Sequence, residues 1–190
     1  MASGPLVKIQ AATAAEICAH FDLKKESRAL LREGMSPQEF VTALIDNKKH
    51  IDAIDFMAHA LPVREALWWG CLCMQHALEG KFSEKERVAA TAAVQWVMQP
   101  SEENRAAAKG PADLAGPGSP AGALAMAAAQ TGGSSAPPNA PPTPPSPFAP
   151  AKSIAMAVKI ASTKAEPVKI SPTQRSYVEL AMQVAEGRLI

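Results

Sequence analysis

Three cysteines and four histidines are the residues in this chain with the most chemistry to offer. Cys71 and Cys73 stand in a CLC triplet. On a helix a one-residue gap turns two side chains about 200° apart, so these thiols neither share a tetrahedral metal nor close a disulfide with each other. Both read as buried apolar thiols. Cys18, two residues before His20 in EICAH, reads the same way. A thiol nucleophile would need its base brought from far along the chain. His20, His50, His59 and His76 form no HExxH motif and no pair at the four-residue helical spacing. His59 in FMAHALP and His76 in CMQHALE read as capping or internally satisfied residues rather than ligands or bases. GPGSPAG (116–122) has the glycines of a phosphate loop without its lysine or its strand–loop–helix setting. The expectation is a protein that is not an enzyme, with no catalytic, cofactor-binding or metal-binding residues and no cofactor.

The candidate partner-binding residues are Arg64, Trp68 and Trp69, all in VREALWWGCLC. Adjacent tryptophans on a helix point about 100° apart. Core positions for both are the first reading. The alternative leaves one at the surface as a partner anchor, where tryptophans are enriched among binding hot spots. Arg64 falls in the first turn of its helix, where a cation gains nothing from that helix's dipole. It must therefore find an ion pair, a packed stem or a partner.

These residues depend on helices to position them. Thr13 followed by Glu16 opens a short helix to about residue 21, and KKESRALLR (24–32) adds another that stops at Gly34. Ser36, Pro37 and Glu39 form a capping box with proline in the first turn. Phe40, Val41, Leu44 and Ile45 then make one apolar stripe. IDAIDFMAHAL (51–61) follows. After Pro62 comes a long helix, 63–80, apolar almost all round its middle and so expected at the centre. Ser83 opens a helix to residue 99, and 101–109 forms another that ends at Gly110–Pro111. Ser119 and Pro120 start a possible helix over 121–130.

Eleven of the seventeen prolines lie between 111 and 150. GGSSAPPNAPPTPPSPFAP (132–150) is neither helix nor central strand, and is either a linker or an ordered strap against the surface. PxxP pairs within 137–150 match ligands of proline-binding modules, as any proline run this dense does. Helical periodicity returns over 151–163 and again from Ser171 to a stop at Gly187, with AEPVKI (165–170) as a short extended link.

The fold expected is all-α: an irregular bundle or array of short antiparallel helices with a proline-rich loop or strap. The divisions are a flexible N-terminus (1–12), a main helical domain (13–110), a Gly/Pro-rich segment containing one possible helix (111–150), and C-terminal helices docked on the main domain (151–190).

Charge is nearly balanced, 19 basic against 18 acidic residues, so nothing global draws the chain to nucleic acid. No stretch reaches the length of a membrane helix, and the first residues lack the basic-then-apolar pattern of a signal peptide. Few and odd cysteines point to a reducing compartment, the cytoplasm by default.

Residues 34–73, GMSPQEFVTALIDNKKHIDAIDFMAHALPVREALWWGCLC, carry a PxREAxWW segment that resembles an uncharacterised family of small helical bacterial proteins. The resemblance maps Pro62, Arg64, Glu65, Ala66, Trp68, Trp69, Cys71 and Cys73. It implies a shared fold, one continuous domain with the proline run packed on it, and no known activity. The expected function is a non-catalytic interaction, accessory or adaptor role toward a protein partner, beside a bacterial secretion or other multiprotein apparatus, with no nucleic acid and no membrane insertion. The alternative is an enzyme or metal-binding protein whose site is assembled from scattered His, Cys, Glu and Arg residues.

Overall fold

A computed structural model describes residues 4–134, 139 and 141–189. Among these residues the secondary structure is helical throughout, with no strand. The order is α1 (Ala14–Cys18), α2 (Lys25–Arg28), α3 (Pro37–Asp46), α4 (His50–Ala60), α5 (Val63–Leu78), α6 (Glu84–Met98), α7 (Glu102–Ala115), α8 (Pro120–Ala129), α9 (Ala149–Ser162) and α10 (Ile170–Ala185).

Local signals set most starts. Ser36 and Ser83 accept hydrogen bonds from the backbone of Glu39 and Glu86, whose carboxylates reach back to the serine N–H groups, completing two capping boxes. At α1 the Thr13 hydroxyl takes the Glu16 N–H, and the helix ends at Cys18, before Phe21.

α5 is covered by α4, α6, α8, α9 and α10, which makes it central as its sequence implies. α8 is buried more completely: nine of its ten residues are enclosed, almost all alanine or glycine. Small side chains bury little area each but let helices approach closely, and α8 packs on α5, α6, α7 and α9. Its C-terminal carbonyl at Ala129 is taken by Arg105 at 2.9 Å, a guanidinium that also pairs with Glu102.

Three segments differ from their sequence reading. α7 runs through Gly110–Pro111 to Ala115 instead of ending there. Proline removes one hydrogen bond to the carbonyl four residues back, but Ala107 is exposed to water, while Ala108 and Ala112 bury on the inner face and hold the helix together. Residues 167–169 form a 3₁₀ turn rather than an extended link, since Pro167 fixes a helical φ and Lys169 N–H bonds Glu166 O. α2 is a single turn rather than a helix over 24–32, and Ser27 within it turns inward and donates to the buried carboxylate of Asp52 at 2.5 Å.

Residues 4–12 bury Leu6, and Lys8 N–H bonds Ala185 O at 2.9 Å. α9 lies on α4, α5 and α8, and α10 on α4, α5 and α9. Gln174 on α10 donates to Ser162 at the end of α9.

Candidate functional site

The structure separates the residues singled out from sequence. Trp69 is fully buried, and its indole N–H donates to the carbonyl of Tyr177 on α10 at 2.8 Å. It presents no surface to a partner, because its ring is taken up in joining α5 to α10. Trp68, one residue on, is half-buried and donates to the carbonyl of Leu189 at 2.7 Å. Arg64 is exposed, and its Nε–H donates to the carbonyl of Val97 at 2.8 Å. That explains a cation at the start of α5: it serves the C-terminal end of α6, where orphan carbonyls and the helix dipole both favour positive charge. Glu65 beside it pairs with Lys8 at 3.8 Å.

Trp68 stands where two hollows meet. One, about 430 Å³, runs between α5 and α6 and is lined mainly by Trp68, Leu72, Met74, Phe82, Ala90 and Val94, with Arg87, Thr91 and Gln95 at its edge. The other, about 170 Å³, is formed by Arg64, Glu65, Trp68, Val97 and the largely exposed Met98. Together they make an apolar groove along the face of α6. The pattern behind it is legible: Ala90 and Val94 are four apart on α6, and Trp68 and Leu72 four apart on α5, so both helices offer a second apolar stripe beside the buried one.

The cysteines are free and buried. Burial pushes the Cys18 thiol up to about 11 and Cys71 up to about 12, and raises Cys73 well above its ordinary value. Burial thus favours the protonated thiol at all three over the thiolate that nucleophilic chemistry uses. His76 pairs with the Tyr177 hydroxyl at 3.1 Å. His50, buried at the start of α4, meets the Ser171 hydroxyl at 3.1 Å.

A second site was invisible to sequence reading. His20, Phe21, His59 and Phe148 gather where the end of α1, α4 and the start of α9 meet. His20 stacks on Phe148 with centroids 4.0 Å apart and planes 17° apart. Phe21 stacks on His59 at 4.9 Å, and His59 lies 6.3 Å from Phe148. His59 Nδ1–H donates to Asp55 O at 2.7 Å, which fixes its tautomer, since a carbonyl can only accept. Nε2 therefore carries the lone pair, and it is buried with no hydrogen-bond partner among the described residues. Desolvation holds the His59 pKa below the ordinary histidine value. A cleft of about 460 Å³ opens on one side, lined by His20, Phe21, Asp22, Asp55, His59, Lys152 and Lys159. There Lys159 pairs with Asp55 at 2.5 Å. A cleft of about 310 Å³, containing Gln10, Glu16, Pro62 and Phe148, lies on the other side and shares His20 and His59. The four rings come from segments far apart in the chain, so no spacing could reveal them. Among the described residues, no three His, Cys, Asp or Glu side chains are grouped so as to hold a metal ion.

An all-helical protein with an apolar α5–α6 groove and a histidine–phenylalanine stack is the class that fold and sites define. The chain belongs to DUF6931, a family of unknown function whose model matches residues 40–185. That span runs from Phe40 on α3 to the end of α10 and contains the whole groove, whereas His20 and Phe21 precede it. No curated protein and no solved structure matches the chain.

Proposed function

We propose that this protein is a non-catalytic interaction module that receives an amphipathic helix of a partner protein in the α5–α6 groove. The observation that carries this reading is the groove itself: an apolar trough between two helices, with half-buried Trp68 at its junction and exposed Met98 at one end. α6 has fifteen residues and is therefore about 22 Å long, the footprint of roughly four turns of a docked helix. Trp68 supplies a large, half-rigid apolar anchor of the kind that dominates interface energies. Thr91, Gln95 and Arg87 give the polar rim that surrounds such a centre. In this reading the protein serves as an accessory or adaptor of a larger bacterial assembly. It works in the reducing cytoplasm, where three free thiols are stable. No helix among the described residues is long and apolar enough to cross a membrane.

The enzyme alternative has less support. Among the described residues, the two histidine nitrogens without a hydrogen-bond partner, His50 Nε2 and His59 Nε2, are both enclosed, and the thiols are protonated and buried.

The test is site-specific photo-cross-linking in the native host from Val94 in the groove, with Lys109 on α7 as a control position. The expected result is a defined cross-link from Val94 to the apolar face of a helix in one partner, absent from Lys109 and lost in Leu72→Glu protein that keeps its helical circular dichroism. Equal, diffuse labelling from both positions would sink the reading.

A further inference from the structure

The stack of His20, His59 and Phe148 plays no part in the groove, and it has properties of its own. We propose that it is a proton-operated latch: a proton added to His59 expels Phe148 from the stack and joins the two clefts that share His20 and His59.

The geometry leaves a proton one place to go. His59 Nδ1–H is committed to Asp55 O, so only Nε2 can accept. Nε2 is buried without a hydrogen-bond partner among the described residues, so the new N–H⁺ would be both desolvated and unsatisfied. The charged groups facing the ring do not relieve this. From its own helix, Asp55 is already paired with Lys159. From α9 come two cations, Lys152 and Lys159. From the α1 side come His20, itself titratable, and the carboxylates Asp22 and Glu16, both exposed to water, with Glu16 bonded to Thr13. Burial, Lys152 and His20 all oppose the proton, against Asp55 and its carbonyl. The state with His59 protonated is therefore lowest when Nε2 reaches water.

Phe148 is the ring best placed to move aside. It is half-buried, it precedes the first turn of α9, and it follows the exposed residues Pro141–Thr143 and Ser146–Pro147. Its N–H donates to the Ser146 hydroxyl at 3.3 Å, and its carbonyl accepts from Lys152 N–H at 3.1 Å, so its backbone is tied to its own turn and the first turn of α9 while the ring is free to swing. Phe21, by contrast, leads directly into buried Leu23 and Ser27. With Phe148 displaced, the clefts of about 460 and 310 Å³ lose the ring that stacks on their shared wall.

The experiment is hydrogen–deuterium exchange of the full chain at pH 7.5 and pH 5.5, corrected for the intrinsic rate, read over residues 144–152 and over α6 as reference. Wild type should exchange faster over 144–152 at pH 5.5, by up to about tenfold, because pH 5.5 lies about one unit below the ordinary histidine pKa that His59 regains when Nε2 reaches water, while α6 stays constant. His59→Gln should abolish the acceleration, and His20→Gln should retain it. A wild-type response that persists in His59→Gln, or no response in wild type, overturns the latch. Should His59→Gln fail to fold, imidazole ¹⁵N titration of wild type decides: the His59 protonation midpoint must coincide with the exchange increase, and a mismatch overturns the proposal.

Discussion

Gly70 on α5 and Leu124 on α8 meet so closely that a Cβ at position 70 would lie 2.4 Å from Leu124 Cδ2. Leu124 is fully buried, so it has nowhere to withdraw without displacing neighbours. Gly70→Ala should destabilise the fold by about 1–3 kcal/mol in urea unfolding, the range for overpacking, despite the better helix propensity of alanine. Gly70→Ala with Leu124→Ala should cost less than the sum of the two single changes, because the new methyl fills part of the space vacated. Gly122→Ala should cost more than Gly70→Ala, since its Cβ would stand in the backbone carbonyl of Gly116, which no side-chain rotation can relieve.

The two adjacent tryptophans should part company in stability. Trp69→Phe leaves a void in the core and strips the Tyr177 carbonyl of its indole donor, a loss of about 2–4 kcal/mol by thermal or urea unfolding. Trp68→Phe removes a comparable hydrogen bond to Leu189 O, but from a half-buried site that water can reach, and should cost about 1 kcal/mol or less. Equal losses would mean that Trp68 is as much a core residue as Trp69.

Acid should weaken the fold through two buried histidines, His50 and His59. Burial is the largest cause lowering both His50 and His59 below the ordinary histidine value of about 6.5, with Arg175 adding to it at His50. A histidine whose folded pKa lies below its unfolded value binds more protons when unfolded. Its stabilising effect is therefore complete above about pH 6.5 and is lost as the pH falls through the lower folded values. Urea midpoints measured between pH 7.5 and 5 should fall for wild type, and the slope should flatten in His50→Gln and His59→Gln proteins. An unchanged slope in both variants would assign the loss elsewhere.

The three thiols should be silent in the native state. Cys18, Cys71 and Cys73 are each at most 4% exposed, and burial keeps them protonated at neutral pH. A chromogenic disulfide reagent at pH 7.5 should react only as fast as the protein opens, and release three equivalents promptly in denaturant. Rapid native reaction of one thiol would identify a surface opening near it.

Several elements were legible because their causes are local. Ser36–Glu39 and Ser83–Glu86 close capping boxes within one turn, and Pro37 and Pro120 fall where a missing N–H costs nothing. The run through Gly110–Pro111 was not, since breaker residues argue for a stop while burial of Ala112 argues for continuation, and burial won. The depth of α8 was hidden too: alanine reads as weakly apolar, and only close neighbours show that it fills the interior. Of the groove, Trp68 could be named from sequence but not told apart from Trp69, because the choice depends on which face α10 covers.

The helical class, the main helix starts and the opposed directions of the two CLC thiols can be read from the chain alone, since they follow from interactions spanning a few residues. Only tertiary structure decided that Trp69 is enclosed and Trp68 half-open, that Arg64 serves α6 rather than its own helix, and that His20, His59 and Phe148 meet. Those relationships join segments distant in the chain, and they arise from how helix faces pair to exclude water, which no local spacing encodes.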